Sequence, residues 1–253
     1  MSEKMRIVVV DDEARICQSF ERALGKEGYL VESFTTGQEA LERLKAGDVD
    51  LVVSDLMMPE MTGQDLLKAM REAGIDTPLI MITGYASVDN ALESMRLGAV
   101  DYLPKPFTVA ELKAVVARGL CASAVDRSQL PQPPPGTYEI PQHSWARKIE
   151  GDLVLVGVDP FVLNCCGPIT EVQLPIEEDE LVQGGPFGKL VARDSHVPIR
   201  LWSPVSGDVK AINTRAVKEP SLLADDPYGK GWLLKMKPSN LKEELKALVA
   251  SVQ

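Results

Sequence analysis

The sequence predicts a parallel α/β unit followed by a small antiparallel β unit, and three observations lead to that reading. Apolar runs ending at acidic or hydroxyl residues alternate with helical patterns through the first half. A proline-dense stretch, QLPQPPPGT, occupies Gln129 to Thr137. Short alternating segments broken by Gly and Pro fill the remainder. A length of 253 residues suits two modest domains.

The strand-like runs come in order. Arg6-Ile-Val-Val-Val10 leads into Asp11, Asp12 and Glu13, Asp50-Leu-Val-Val-Ser54 delivers Asp55, and Leu79-Ile-Met-Ile82 delivers Thr83. A fourth, Ala99 to Leu103, ends at Pro104-Lys105-Pro106. Short β-branched runs of this kind read as parallel strands buried on both faces. In such a sheet the carboxyl ends of the strands form the ligand crevice. Three carboxylates meeting there repel one another unless a cation or a pKa shift relieves them. A hard divalent ion such as Mg²⁺, held by one or two carboxylates and water, is an economical answer. With a hydroxyl and a lysine on the same edge, the set describes a site for a phosphoryl group.

The strings VVVDDE, SDLMMPEMTG, LIMITGYASVDNAL and GAVDYLPKPF resemble the receiver domain of bacterial two-component response regulators, over roughly residues 4 to 120. The resemblance implies a doubly wound, five-stranded, flavodoxin-like sheet. It implies that Asp55 accepts the phosphoryl group and that Asp11, Asp12, Asp55 and the Met57 backbone carbonyl hold Mg²⁺. It makes Thr83 the switch hydroxyl, Tyr102 the switch aromatic and Lys105 the ion partner of the acyl phosphate. Chemically, a carboxylate is a competent nucleophile toward a phosphoryl donor, Mg²⁺ neutralises charge in the loose transition state, and Lys105 supplies a point charge. Lys105-Pro106 is a candidate cis bond. Phosphate oxygens would attract Thr83 and vacate space for Tyr102, changing the face formed by the helix near Ala86 to Leu97, the strand Ala99 to Leu103 and the helix Val109 to Leu120. Gly63 reads as a turn or helix-start residue.

Charge excludes one common output. The chain has a net charge of −10; up to residue 120 it carries 13 basic and 20 acidic residues, and beyond it 14 and 17. The second half has no basic stripe and no pair of short helices to enter a groove, so DNA binding is not expected. No run approaches the roughly 20 apolar residues of a membrane helix, and MSEKMRIVVV is too short for a signal peptide. A cytoplasmic location is expected. Cys17, Cys121 and the adjacent Cys165-Cys166 lack metal-type spacing and read as buried thiols.

The expected organisation is a first domain over 1–122, a linker over 123–137 that acts as a semi-rigid proline spacer, and a second domain over 138–253. Seven short segments suggest a small sandwich or barrel: Ala146 to Ile149, Leu153 to Val158, Ile169 to Leu174, Lys189 to Arg193, Ile199 to Trp202, Val209 to Ile212 and Trp232 to Met236. A closing helix is predicted over Leu241 to Val252, with Asn240 as N-cap.

The strings HSWARKIEGD, ITEVQLP, GGPFGKL, SPVSGDV and DDPYGKGWLLKMKPSN resemble the H-protein of the glycine cleavage system, over roughly Tyr138 to Leu248. That family has a flattened β-barrel of the lipoyl-carrier type and presents a lysine at a hairpin tip, where lipoate is attached. Counting back from Pro204-Val-Ser-Gly207, His196 stands at the lysine position. Imidazole cannot form the stable lipoyl amide. Arg193 and Arg200 stand where the family has acidic flanks, and Pro198 stiffens the tip. The expectation is a domain without lipoate, whose Arg193, His196 and Arg200 form a small cationic tip suited to a carboxylate, a phosphate or an acidic protein surface. His143, the only other histidine, does not complete a metal site with His196.

The expected function is a response regulator phosphorylated by a sensor histidine kinase or a small acyl phosphate. Its H-protein-like domain would act through an unknown protein partner, with no nucleic acid and no membrane involved. It would turn over no external substrate beyond its own phosphorylation and dephosphorylation. The acidic chain permits dimerisation through the Tyr102 face on phosphorylation. The alternative is a receiver-gated lipoyl or acyl carrier modified at another lysine.

Overall fold

The computed structural model describes residues 4–84, 88–195 and 197–251 of the 253. Residues 1–87 with 97–124 form one compact unit, and 88–96 with 125–253 form another. In chain order the first ten elements are β1 (Arg6–Val10), α1 (Ala14–Gly25), β2 (Leu30–Phe34), α2 (Gly37–Lys45), β3 (Leu51–Asp55), α3 (Gly63–Glu72), β4 (Leu79–Thr83), α4 (Val88–Arg96), β5 (Asp101–Pro104) and α5 (Val109–Ala122). The expected helix from Ala86 begins at Val88, and its first expected residues lie outside the described ones.

The strands of the first unit form a five-stranded sheet in the order β2-β1-β3-β4-β5, every neighbouring pair parallel. Alternation along the strands builds a core on each face. Ile7, Val9, Leu51, Val53, Ile80 and Ile82 share a cluster with Phe20 and Leu24 of α1 and with Leu112, Val115 and Val116 of α5. Val8, Val10, Val52 and Met81 occupy the alternate strand positions and are equally buried, as are Leu41 and Leu44 of α2 and Leu66, Leu67 and Met70 of α3. Burial on both faces accounts for the continuous apolar runs. The helix starts are encoded locally. Thr62 with Asp65 and Thr108 with Glu111 form reciprocal capping boxes at α3 and α5.

The second unit continues with β6 (Thr137–Ile140), β7 (Ser144–Ile149), β8 (Leu153–Val158), α6 (Pro160–Cys166), β9 (Ile169–Gln173), β10 (Glu180–Leu181), β11 (Pro186–Ala192), β12 (Ile199–Trp202), β13 (Gly207–Ile212), α7 (Thr214–Lys218), α8 (Leu222–Asp225), β14 (Leu234–Pro238), α9 (Leu241–Glu244) and β15 (Val249–Ala250). A seven-stranded sheet, β10-β13-β14-β8-β7-β6-β15, and a three-stranded sheet, β12-β11-β9, share one core. Val156, Val209 and Met236 of the larger sheet cluster with Val172, Leu190, Ile199 and Leu201 of the smaller. All seven expected segments are strands. Trp145 on β7 lies across from Gly157 on β8, where a Cβ would stand 2.3 Å from the indole ring. The tryptophan thus rests on bare backbone, as aromatic side chains do over strand glycines.

Two expectations change. The closing helix is present but short: α9 ends at Glu244, a single 3₁₀ turn covers Leu245–Ala247, and Val249–Ala250 pair with β6 instead of continuing the helix. The open edge of β6 offers ladder partners that outweigh a further helical turn. The linker, expected to stand as a spacer, is in part tied to the second unit. The Pro134 carbonyl accepts from the Thr137 N–H at 3.2 Å, the Thr137 hydroxyl at 2.7 Å and the Ser251 hydroxyl at 3.1 Å. The Arg127 guanidinium lies 4.9 Å over the Phe161 ring. Proline lacks a donor but keeps a strong acceptor, and these segments use it.

Candidate functional site

The register of the parallel sheet assembles the first site. Val10 pairs with Ser54, so Asp11 and Asp55 emerge side by side from β1 and β3. Thr83 pairs with Pro104, which puts Lys105 next along the same edge. The Lys105 N–H donates to the Thr83 carbonyl at 2.7 Å, and the Lys105-Pro106 bond is cis. The Lys105 ammonium donates to Asp55 Oδ1 at 2.6 Å and to Asp11 Oδ2 at 3.0 Å. One cation thus holds together two carboxylates that lie 50 and 94 residues from it in the chain.

Each acid is also fixed by its own turn. Asp55 Oδ2 accepts from the Met57 N–H at 2.7 Å, and Asp11 Oδ1 accepts from the Glu13 N–H at 3.0 Å. Both are Asx-type turns in which the side chain takes the amide two residues on. Sequence reasoning assigned Met57 only a carbonyl role and missed its amide; an aspartate at a strand end followed by an irregular segment is the signal that could have found it. Gly63, the first residue of α3, has a further constraint. A Cβ there would lie 2.3 Å from the Asp55 carbonyl oxygen and 2.6 Å from Met81 Sδ. Its N–H donates to the Leu56 carbonyl at 2.9 Å. The bare first turn of α3 therefore packs directly on the backbone that carries Asp55.

Burial sets the electrostatics. Asp11 and Asp55 are almost fully buried, whereas Asp12 is exposed beside them. Desolvation raises the Asp11 pKa above the usual carboxylate value, although the Lys105 hydrogen bond pulls it down. For Lys105, burial favours the neutral amine, but Asp55 and Asp11 together leave its pKa above the ordinary lysine value. The ammonium is thereby kept charged inside the crevice. Thr83 is fully buried. Tyr102 is also buried, and desolvation with the Asp55 charge pushes its phenol up to about 12. The edge thus holds two buried carboxylates, an ammonium and a hydroxyl. Among the described residues no three His, Cys, Asp or Glu side chains converge as a metal cage. Magnesium needs only one or two carboxylates besides water, and Asp11 with Asp55 supplies that number of hard oxygen donors.

The second candidate region is the β11–β12 hairpin. Arg193 is exposed just beyond β11, with its N–H donating to the Pro168 carbonyl at 2.8 Å. Arg200 is half-buried on β12, in register with Lys189 of β11. The structure therefore brings Lys189, not Arg193, beside Arg200. His196 lies outside the described residues. Lys189 sits within the strand, not at the turn. Cys17 is buried and donates to the Asp11 carbonyl, while the thiols of Cys121, Cys165 and Cys166 are half-buried, more accessible than expected.

Sequence reasoning also missed a half-buried acidic group in this unit. On β6, Glu139 Oε1 accepts from the Tyr228 hydroxyl at 3.0 Å, and Tyr228 packs on Trp145 with ring centroids 5.5 Å apart. Burial, then the nearby Asp159 charge, raises the Glu139 pKa to about 7.

A buried strand-end aspartate gripped by a lysine, on a β2-β1-β3-β4-β5 parallel sheet, defines a receiver-type α/β domain. Comparison makes the assignment particular. Residues 7–117 match the response regulator receiver domain, and residues 137–253 match the glycine cleavage H-protein. The chain is a receiver domain joined to a glycine cleavage H-protein domain. The transcriptional regulatory protein DltR of Streptococcus agalactiae is 39% identical over 110 residues, which cover 44% of this chain and 49% of that protein. A response regulator receiver domain protein from Clostridium thermocellum is 29% identical, with a TM-score of 0.45, covering 47% of this chain and 97% of that one. The glycine cleavage system H protein of Mycobacterium marinum is 30% identical, with a TM-score of 0.39, covering 42% and 86%. The chain spans about half the length of DltR.

Proposed function

We propose that this chain is a phosphorylation-controlled response regulator, with Asp55 as the phosphoryl acceptor and the H-protein domain as a protein-interaction output. One observation supports this most: Asp55 is buried at a strand end with one oxygen on the Lys105 ammonium at 2.6 Å and the other on the Met57 amide at 2.7 Å. The nucleophile is thus oriented, and Lys105 stands ready to take charge that develops on an incoming phosphoryl oxygen. As in the receiver family generally, magnesium would serve here, held by Asp11, Asp12, Asp55 and the Met57 carbonyl, and would supply charge neutralisation for phosphoryl transfer. Receiver domains generally interact with histidine kinases, so a sensor kinase or a small acyl phosphate is the donor we propose.

After transfer, the Asp55 side chain carries extra negative charge and acceptor oxygens. Thr83 and Tyr102, both buried on the same sheet edge, are the groups we propose to respond. The chain turns over no other substrate in this reading. DNA is not the target in this reading, which rests on the lack of a basic stripe and of a recognition helix among the described residues of the second unit. Among the described residues no helix is long and apolar enough to cross a membrane. Lipoate is not part of the proposal, because His196 occupies the position of the family's lysine. A phosphorylation-dependent homodimer is compatible with the same reading.

Intact mass after incubation with Mg²⁺ and acetyl phosphate tests it. The expected result is one phosphoryl adduct that Asp55→Ala removes, with no lipoyl adduct on protein from native cells. A native lipoyl adduct would instead favour a receiver-gated carrier.

A further inference from the structure

We infer that Glu139 works a proton-sensitive clasp: while it holds its proton the C-terminal strand β15 stays on the edge of β6, and when the proton is lost β15 is released. The clasp is independent of the phosphoryl chemistry proposed for Asp55.

The contact it controls is small. β15 contributes two residues, with Val249 opposite Glu139 and Ala250 opposite Tyr138. The Ser251 N–H donates to the Thr137 carbonyl at 2.9 Å, and the Ser251 hydroxyl to the Pro134 carbonyl at 3.1 Å. β15 is the outermost strand on its side of the seven-stranded sheet, and Val249 is 43% exposed. Short terminal elements of this kind open at low cost, well before the core does. A modest change on β6 therefore decides whether the strand stays.

Glu139 is placed to supply that change. Register sets it in one row of the sheet between Val249 and Trp145, so its neighbours on both sides are apolar. Among the described residues its side chain takes one hydrogen bond, from the Tyr228 hydroxyl at 3.0 Å. Asp159, half-buried close by, already accepts from the Gln142 and Phe161 amides at 2.9 and 2.8 Å. The surrounding cations are engaged elsewhere. Arg147 of β7 lies 5.6 Å over the Trp145 ring and donates to the Tyr228 carbonyl at 2.8 Å. Arg127 stacks on Phe161 and acts on Asp159. On α4, which belongs to the same unit, Arg96 pairs with Glu93 at 3.7 Å, and ahead of β15 Lys246 pairs with Glu243 at 2.6 Å. His143 is buried in the turn between β6 and β7.

An ionised Glu139 thus has a like charge beside it and no ion partner among the described residues. Burial first, then Asp159, accounts for its pKa of about 7. In the neutral form the carboxyl is compatible with Val249 opposite it. In the charged form it must reach water, and the thinnest cover is the two-residue strand. Opening there also frees Ser251 from Pro134, so the linker loses that hold.

Hydrogen exchange at the Ser251 amide of the full-length chain, read by NMR and corrected for the intrinsic rate, tests the clasp. Exchange should run at least about tenfold faster at pH 8 than at pH 5. Glu139→Gln, neutral at both, should keep the rate within about twofold over that range. Tyr228→Phe removes a hydrogen bond that favours the carboxylate, so the midpoint should move to higher pH. A smaller acceleration in the parent, a pH dependence that survives in Glu139→Gln, or a midpoint unmoved in Tyr228→Phe would each overturn it.

Discussion

The strand ends of the receiver unit and the β11–β12 hairpin of the second unit both present charge from a rigid sheet, but they treat it in opposite ways. At the strand ends two carboxylates are buried, shared by one lysine and fixed by their own turns. At the hairpin Lys189, Arg193 and Asp194 are exposed and Arg200 is half-buried, so charges of both signs stand open to solvent. Reactive groups require desolvation and oriented partners, and the first region keeps them. The second lies in the half of the chain that matches the glycine cleavage H-protein. The first region thus buries and orients its charges, whereas the second displays them.

Substitutions break that comparison in order of size. Asp55→Ala should remove phosphoryl uptake altogether by intact mass, because it deletes the proposed acceptor; uptake retained in this variant would point to Asp11, which shares Lys105 and has its own turn amide. Lys105→Met should slow uptake by about 100-fold, as loss of one oriented charge-stabilising donor does; a loss below tenfold would show that Asp55 does not depend on the lysine. Gly63→Ala should destabilise the receiver unit by about 2 kcal/mol or more, the cost of forcing a methyl against fixed backbone. Urea unfolding should show the receiver transition moving while that of the second unit stays.

The next effect is a pH dependence confined to the second unit. Burial, with the Asp159 charge nearby, raises the Glu139 pKa to about 7 in the folded state, above the ordinary glutamate value of 4.5. The folded protein thus binds its proton more tightly than the unfolded chain does. Its contribution is fully present below about pH 4.5 and is lost as pH rises through about 7. Partial solvent screening reduces the size to about 1–2 kcal/mol. Glu139→Gln should flatten the stability of this unit between pH 5 and 8; an unchanged slope would show that another group titrates there. The smallest expected change is at the hairpin. His196→Lys alone should acquire no lipoyl group in cells, because Arg193 and Arg200 keep the flanks cationic, and intact mass reads the outcome.

Legibility followed burial. Runs such as Leu51 to Asp55, buried at every position, announce themselves through continuous apolar residues, and they fixed where the functional side chains emerge. The edge strand Leu30–Phe34, with a mixed burial pattern, carries no such signal and was not singled out. Helices α6 to α8 are four to seven residues long, too short for a helical period to appear. At the C-terminus, leucine and valine spacing suits a helix, but strand pairing by Val249 and Ala250 is a tertiary choice that no local pattern contains. The link between Glu139 and Tyr228 spans 89 residues and is visible only once the sheet is built.

The indole of Trp145, lying on Gly157 and packed on Tyr228, has an optical consequence. All three tryptophans of the chain, Trp145, Trp202 and Trp232, fall in its second half. Light absorbed at the red edge of the protein spectrum excites the H-protein domain alone, while the receiver responds only through tyrosine. Emission from the intact chain therefore reports on one domain at a time without any label. Because Tyr228 links that indole to Glu139, the same emission should change as the carboxyl gains or loses its proton.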